Sequence, residues 1–129
     1  MKEIEVSAAV IYRGDEVLVT ARGYGEYKGY YEFPGGKLEK GESPENCLIR
    51  EIKEEMNAEI IIDKFLTTIT YDYDKFRLVM HVFMCKLKDD KYELLEHLDA
   101  KYVNKTELKK VNFLPADFQL INAIQDFLD

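Results

Sequence analysis

The chain has 129 residues, of which 47% are apolar and 12% aromatic, and its formal net charge is −7. That size and apolar content argue for one folded domain spanning residues 1–129 and against disorder. The acidic balance disfavours a nucleic-acid polymer as partner, since backbone binding relies on clustered Lys and Arg, but it leaves room for a small nucleotide whose charge a metal ion carries.

Ile4, Val6, Ala8 and Val10 alternate with Glu5, Ser7 and Ala9, which predicts a strand running to Tyr12. Arg13-Gly14-Asp15 supplies a turn, and Glu16 to Ala21 reads as the hairpin partner. Residues 22–31, rich in Gly and Tyr, read as a loop, and Tyr31 to Phe33 as a short extended piece stopped by Pro34. A charged loop follows. Ser43 at a cap position and Pro44 at the first helical position then start a helix, because Ser accepts an orphan amide and Pro lacks one. That helix ends at Asn57, which tolerates the left-handed conformation of a terminus. Its apolar face is expected to be Leu48, Ile49, Ile52 and Met56. Glu59 to Asp63 and Lys64 to Tyr73 suggest two strands, Asp72 to Lys75 a turn, and Phe76 to Leu87 a central strand. Residues 88–99 read as loop, Lys101 to Asn104 as a short strand, and Thr106 to Lys110 as a helical turn. A closing helix is expected over Asp117 to Leu128, with Phe118, Ile121, Ile124 and Leu128 as its apolar stripe. The order predicts an α/β fold with a mixed sheet between helices.

Two cysteines, Cys47 and Cys85, are too few for a disulfide framework. No apolar run approaches membrane-spanning length, and the start MKEIEVSAAV lacks a signal-peptide pattern. The expectation is a cytoplasmic protein with no membrane contact, a monomer or weak homodimer.

Chemistry concentrates in residues 34–58. On the helix, Glu51, Glu54 and Glu55 fall within an arc of about 100° and repel one another. Converging oxygen ligands are what Mg²⁺ or Mn²⁺ requires, although an isolated acidic cluster of this kind reads first as a solvated face. The wider pattern runs Gly36, five residues, Glu42, seven residues, then Arg50-Glu51-Ile52-Lys53-Glu54-Glu55-Met56-Asn57-Ala58. It resembles the Nudix hydrolase box, G-x5-E-x7-R-E-U-x-E-E-x-G-U, where U is a bulky apolar residue. Asn57 stands where the family usually has Gly, and Ala58 is smaller than the usual last residue.

The resemblance covers essentially the full length and implies the Nudix α/β/α sandwich. It implies a Mg²⁺-dependent (Mn²⁺ as a substitute) hydrolase that cleaves a nucleoside triphosphate into monophosphate and pyrophosphate. Glu51, Glu54, Glu55 and the Gly35 carbonyl are then the expected metal ligands, with a further acidic ligand from the late loop. Glu96 matches that position and Glu93 competes with it. Arg50 is expected to hold the box carboxylates, and Glu42 to have a structural or outer metal role. Which carboxylate is the general base stays open. Similarity to MutT-like members places Arg22 on the phosphates, and Val6, Phe33 and Asp117 at the base, where 8-oxo-dGTP is favoured and (d)CTP is the alternative. Val6 and Phe33 also read as ordinary core, Arg22 as a surface residue, and Asp117 as a cap of the last helix. Tyr24, Tyr27, Tyr30 and Tyr31 are candidates to stack on a base. Nucleotide-sugar and dinucleoside-polyphosphate hydrolases, and a non-catalytic nucleotide-binding module, are the remaining readings. His81 and His97 have no partner at zinc spacing.

Overall fold

The computed structural model describes all residues from Met1 to Asp129. Strands β1 (Lys2–Arg13), β2 (Glu16–Ala21), β3 (Tyr31–Glu32) and β4 (Gly35–Lys37) precede helix α1 (Pro44–Met56). Strands β5 (Ile60–Asp72), β6 (Phe76–Leu87) and β7 (Asp99–Asn104) follow, then a 3-10 turn (Glu107–Lys110) and helices α2 (Pro115–Phe118) and α3 (Ile121–Leu128). The strands pair in the order β3-β2-β1-β6-β5, with β4 added to β1 and β7 to β2. β1 lies parallel to β6, from Lys2 opposite Phe76 to Ile11 opposite Cys85, while β5 and β6 form an antiparallel hairpin. The sheet is therefore mixed, as expected.

Alternation along β1 sorts its side chains to two cores. Ala9 and Ile11 join Leu18, Phe83 and Cys85 beneath Leu48, Ile52 and Met56 of α1. Ala8 and Val10 face the other way, with Val82 and Met84, against Leu120, Ile121 and Ile124. Leu48, Ile52 and Met56 are fully buried, and each such side chain stabilises the packing by about 1.5–3 kcal/mol relative to exposure. Helices thus cover both faces of the sheet. None is long and apolar enough to cross a membrane.

Several local expectations change. β4 falls in what read as a charged loop: Gly35, Gly36 and Lys37 have no alternation, and their pairing comes from the free edge of β1 at Val6 to Ala8. The two strands expected between Glu59 and Tyr73 are one, interrupted by bulges at Ile62/Lys64 and Phe65/Thr67 that mimic a break. The closing helix starts earlier, at Pro115, and is cut in two. Tight bonds from Gln119 N to Ala116 O and Leu120 N to Asp117 O turn the chain, so Ala116, Leu120, Ile121 and Ile124 all bury while Phe118 is left exposed. Ile49 is also exposed, and Cys47 takes its place on the buried face of α1. Both cysteines are buried free thiols.

Candidate active site

Helix α1 begins and ends as its sequence predicts. Ser43 Oγ accepts from Asn46 N at 3.1 Å, Pro44 occupies the first turn, and Asn57 closes the helix in the left-handed conformation at φ 46°. This fixes the rotation of the helix, which places Glu51 against β4. A Cβ on Gly36 would lie 2.7 Å from Glu51 Oε1; the strand lacks a side chain where the carboxylate needs the room.

Arg50 is the hub of the acidic cluster. Its Nε and Nη2 donate to the two oxygens of Glu42 at 2.8 and 2.9 Å, and its Nη1 reaches Glu51 at 3.0 Å and Glu54 at 3.2 Å. Nη2 also donates to Lys37 O, tying the helix to the end of β4. The paired guanidinium and the Glu39 amide hold the Glu42 carboxyl down at about 2. Glu42 is thereby part of the scaffold that orients Arg50.

Glu55 is different. It is buried, and burial, followed by the charge of Glu51, pushes its carboxyl up to about 9. Glu96 and Glu32 add to the same effect. Its Oε2 has no hydrogen-bond partner. Glu96, exposed in the late loop, is close enough to be felt by Glu55, whereas Glu93 turns away and accepts from Asn57 Nδ2 at 3.1 Å. Of the two late-loop candidates, Glu96 is the one on the cluster. No three His, Cys, Asp or Glu side chains are gathered tightly enough to enclose an ion. A buried, partnerless carboxylate oxygen beside like charges nevertheless fits a hard divalent cation, whose charge reverses the local penalty.

A cavity of about 540 Å³ opens beside this cluster. Gly35 and Gly36 form part of its wall, and Val6, Phe33, Arg22 and Asp117 line it. The residues expected at phosphate and base therefore share one pocket, adjoining the box through β4. Phe33 is buried and stacks on Phe113 at 5.2 Å, while Val6 is partly buried, so both serve the core as well. Arg22 is not a free surface residue: its Nη2 and Nε donate to Glu32 Oε1 at 2.8 and 3.2 Å. Of the four loop tyrosines Tyr27 lines the pocket, packing edge-on against Tyr73, while Tyr24 and Tyr30 are exposed and Tyr31 donates to Asp99.

Asp117 does not cap a helix. It lies inside α2, whose cap position is Leu114, and its Oδ2 accepts from Phe33 N at 2.9 Å. Burial raises its carboxyl to about 7, against the lowering effect of the Phe33 amide.

Three pocket or site residues carry no sequence signal of their own. Glu32 and Tyr73 line the cavity, and the side chain of His97 is buried with Nε2 3.4 Å from Glu55 Oε1. Glu32 lies in the two-residue β3, Tyr73 just past β5 and His97 in the late loop, and which distant groups they meet is not encoded in residue spacing.

The family profile for the NUDIX domain matches residues 1–124. A CTP pyrophosphohydrolase of Escherichia coli (strain K12) is 28% identical over 124 residues, covering 95% of this chain and 92% of that one. An 8-oxo-dGTP diphosphatase of Proteus vulgaris is 32% identical over 85 residues, 64% of this chain and 76% of the relative. Among solved structures, that of the E. coli ORF135 protein superposes with a TM-score of 0.84 at 28% identity, covering 98% of this chain and 91% of that one. The MutT NUDIX hydrolase from Burkholderia pseudomallei gives 0.80 at 18% identity, over 97% of this chain and 98% of its own, a likeness of fold.

Proposed function

This chain belongs to the Nudix hydrolase family, and on that premise we propose that it converts a nucleoside triphosphate to the monophosphate and pyrophosphate, with 8-oxo-dGTP as its first substrate. Phosphoanhydride hydrolysis follows from the family; the substrate and the residue roles are this proposal. The observation that carries it is the joining of the Glu51–Glu55 face and the Asp117 pocket across Gly35–Gly36.

Nudix hydrolases generally use a divalent metal, and here Mg²⁺, or Mn²⁺ in its place, would be held by Glu51, Glu54, Glu55, Glu96 and the Gly35 carbonyl. Bound there, the ion supplies charge neutralisation at the phosphate oxygens and acidifies water. Arg50 keeps Glu51 and Glu54 from splaying under their mutual repulsion. Arg22, steadied by Glu32, meets the phosphates; its planar fork suits their oxygens. Water adds across the bond between the α and β phosphoryl groups, and its proton passes to one of the cluster carboxylates.

Asp117 reads the base. A carboxyl raised to about 7 is partly protonated at neutral pH, and the protonated form donates to a purine oxygen. The ionised form accepts from the amino group of cytosine instead. The near full-length similarity to a CTP pyrophosphohydrolase supports (d)CTP as the second reading. Measuring kcat/KM over normal and oxidised nucleoside triphosphates with Mg²⁺, on wild type and Asp117→Asn together, tests both. Pyrophosphate is the expected product and EDTA abolishes its release; orthophosphate as the sole first product refutes the reaction. Asp117→Asn is expected to shift the 8-oxo-dGTP to dCTP ratio by roughly tenfold or more, since a mismatched buried hydrogen bond costs about 1–3 kcal/mol. Equal slowing of both substrates removes Asp117 from base recognition.

A further inference from the structure

One buried polar side chain at the site is left unexplained by the family box. The His97 side chain is 4% exposed and lies between two carboxylates, with Nε2 3.4 Å from Glu55 Oε1 and 3.6 Å from Glu32 Oε2. Its Nδ1 has no partner, and neither has Glu55 Oε2. The other oxygen of Glu32 accepts from Arg22, so the imidazole stands between the Arg22–Glu32 pair and Glu55. The backbone pins it there: Leu95 N donates to Glu55 O at 3.2 Å and Leu98 N to Ala21 O at 3.0 Å. Gly23 permits the close approach of this loop, since a side chain there would run into Glu96 O.

A residue that only filled space at this point would be better apolar, because a buried ring nitrogen without a partner costs free energy. Flanked by carboxylates, Nε2 is the ring nitrogen suited to carry the proton. We propose that His97 is a positioning residue whose Nε2–H bridges Glu55 and Glu32, locking the buried metal-facing carboxylate to the pair that orients Arg22. This rests on the metal and phosphate roles given above. It accounts for two features together, the choice of His over an apolar residue and the route of the loop that carries Glu96.

The test is Mn²⁺ binding by electron paramagnetic resonance, without nucleotide, on wild type, His97→Gln, His97→Asn and His97→Leu, each checked for fold by circular dichroism. Gln can place an amide N–H near the Nε2 position, whereas Asn and Leu cannot. We expect Asn and Leu to weaken Mn²⁺ binding by about 10–100-fold and Gln to stay within about threefold. Should Leu fail to fold, the Asn and Gln pair carries the comparison. ¹⁵N spectra of the wild-type rings, with His81 as the only other histidine, add a readout free of mutation: Nε2 protonated, and its signal moved by Mg²⁺. Wild-type affinity in folded His97→Asn, a Gln variant as weak as Asn, or a bare Nε2 overturns the role of His97. A wild-type chain that binds no Mn²⁺ sinks the proposed function itself.

Discussion

Replacing Gly36 by Ala separates catalysis from folding. The added methyl would overlap Glu51 Cδ and Oε2 and sit 2.7 Å from Oε1, where relaxed contact needs ~3.5 Å, so the carboxylate must withdraw by at least ~1 Å. It can do so, because the obstacle is the end of a flexible side chain and Gly36 has no left-handed backbone to lose. Withdrawal pulls Glu51 from Arg50 Nη1, now at 3.0 Å. A misplacement of about 1 Å at a reacting centre costs ~100-fold in kcat/KM, or about 2.7 kcal/mol. Stability should change by less than about 1 kcal/mol, since the unfolded-state gain of Gly→Ala offsets a weakened, partly exposed ion pair. Gly35→Ala is the contrast. Its methyl would lie 2.9 Å from Ala8 Cα and from the Ser7 carbonyl carbon, backbone that is locked in register with β6, so the fold itself should lose more than about 2 kcal/mol. Pyrophosphate release and thermal melts on both variants decide the matter. A folded Gly36→Ala enzyme with kcat/KM within about threefold of wild type refutes the reasoning, because Glu51 would then not need its observed place.

Two further outcomes follow from the same geometry. Glu54→Gln should lower turnover by roughly 100-fold with an unchanged melting curve, because the side chain is exposed, it is paired with Arg50 alone, and the change removes charge at the proposed metal position; near-wild-type turnover in the folded variant contradicts that assignment. Asp117, raised from 3.8 to about 7, binds a proton more tightly folded than unfolded, so its stabilising contribution is complete below about 4 and is lost as pH rises to about 7. Asp117→Asn should flatten this decline in urea titrations across pH 4–7; parallel curves for the two proteins would show an ordinary, solvated carboxylate.

What was legible in the sequence was mainly local chemistry. Ser43, Pro44 and Asn57 bound α1 because each acts on its own backbone, and the β6 limits follow from an apolar-rich run that holds Arg77, His81 and Lys86 but no Gly, Pro, Asn or Asp. Arg50 is placed near its carboxylates by the resemblance to the box, since Glu42, to which it donates twice, precedes the helix and lies at no helix spacing from it. β4 could not be read, since a Gly-Gly-Lys strand exists only by virtue of the β1 edge. The alternative reading of Asp117 as a cap rests on a local preference for helix starts, whereas its bond to Phe33 N spans most of the chain. Glu32 and His97 escape for the same reason: what makes them notable is the meeting of the short β3 and the late loop with α1, and neither segment carries a pattern that says where it goes.

The parallel pairing of β1 with β6 has a consequence for how the molecule comes into being. Ala8 waits for Val82, and the whole inner strand waits with it. On a ribosome adding about 5–20 residues per second, the roughly seventy intervening residues take several seconds to appear. During that interval α1 can coil from its own signals, but the strand against which Gly36 lies has no inner neighbour and exposes Val10 and Ile11. Such distant pairing makes for slow closure. The charged cluster is therefore assembled late, after the sheet beneath it, and a nascent or truncated chain ending before Phe76 presents a bare apolar edge instead of a site.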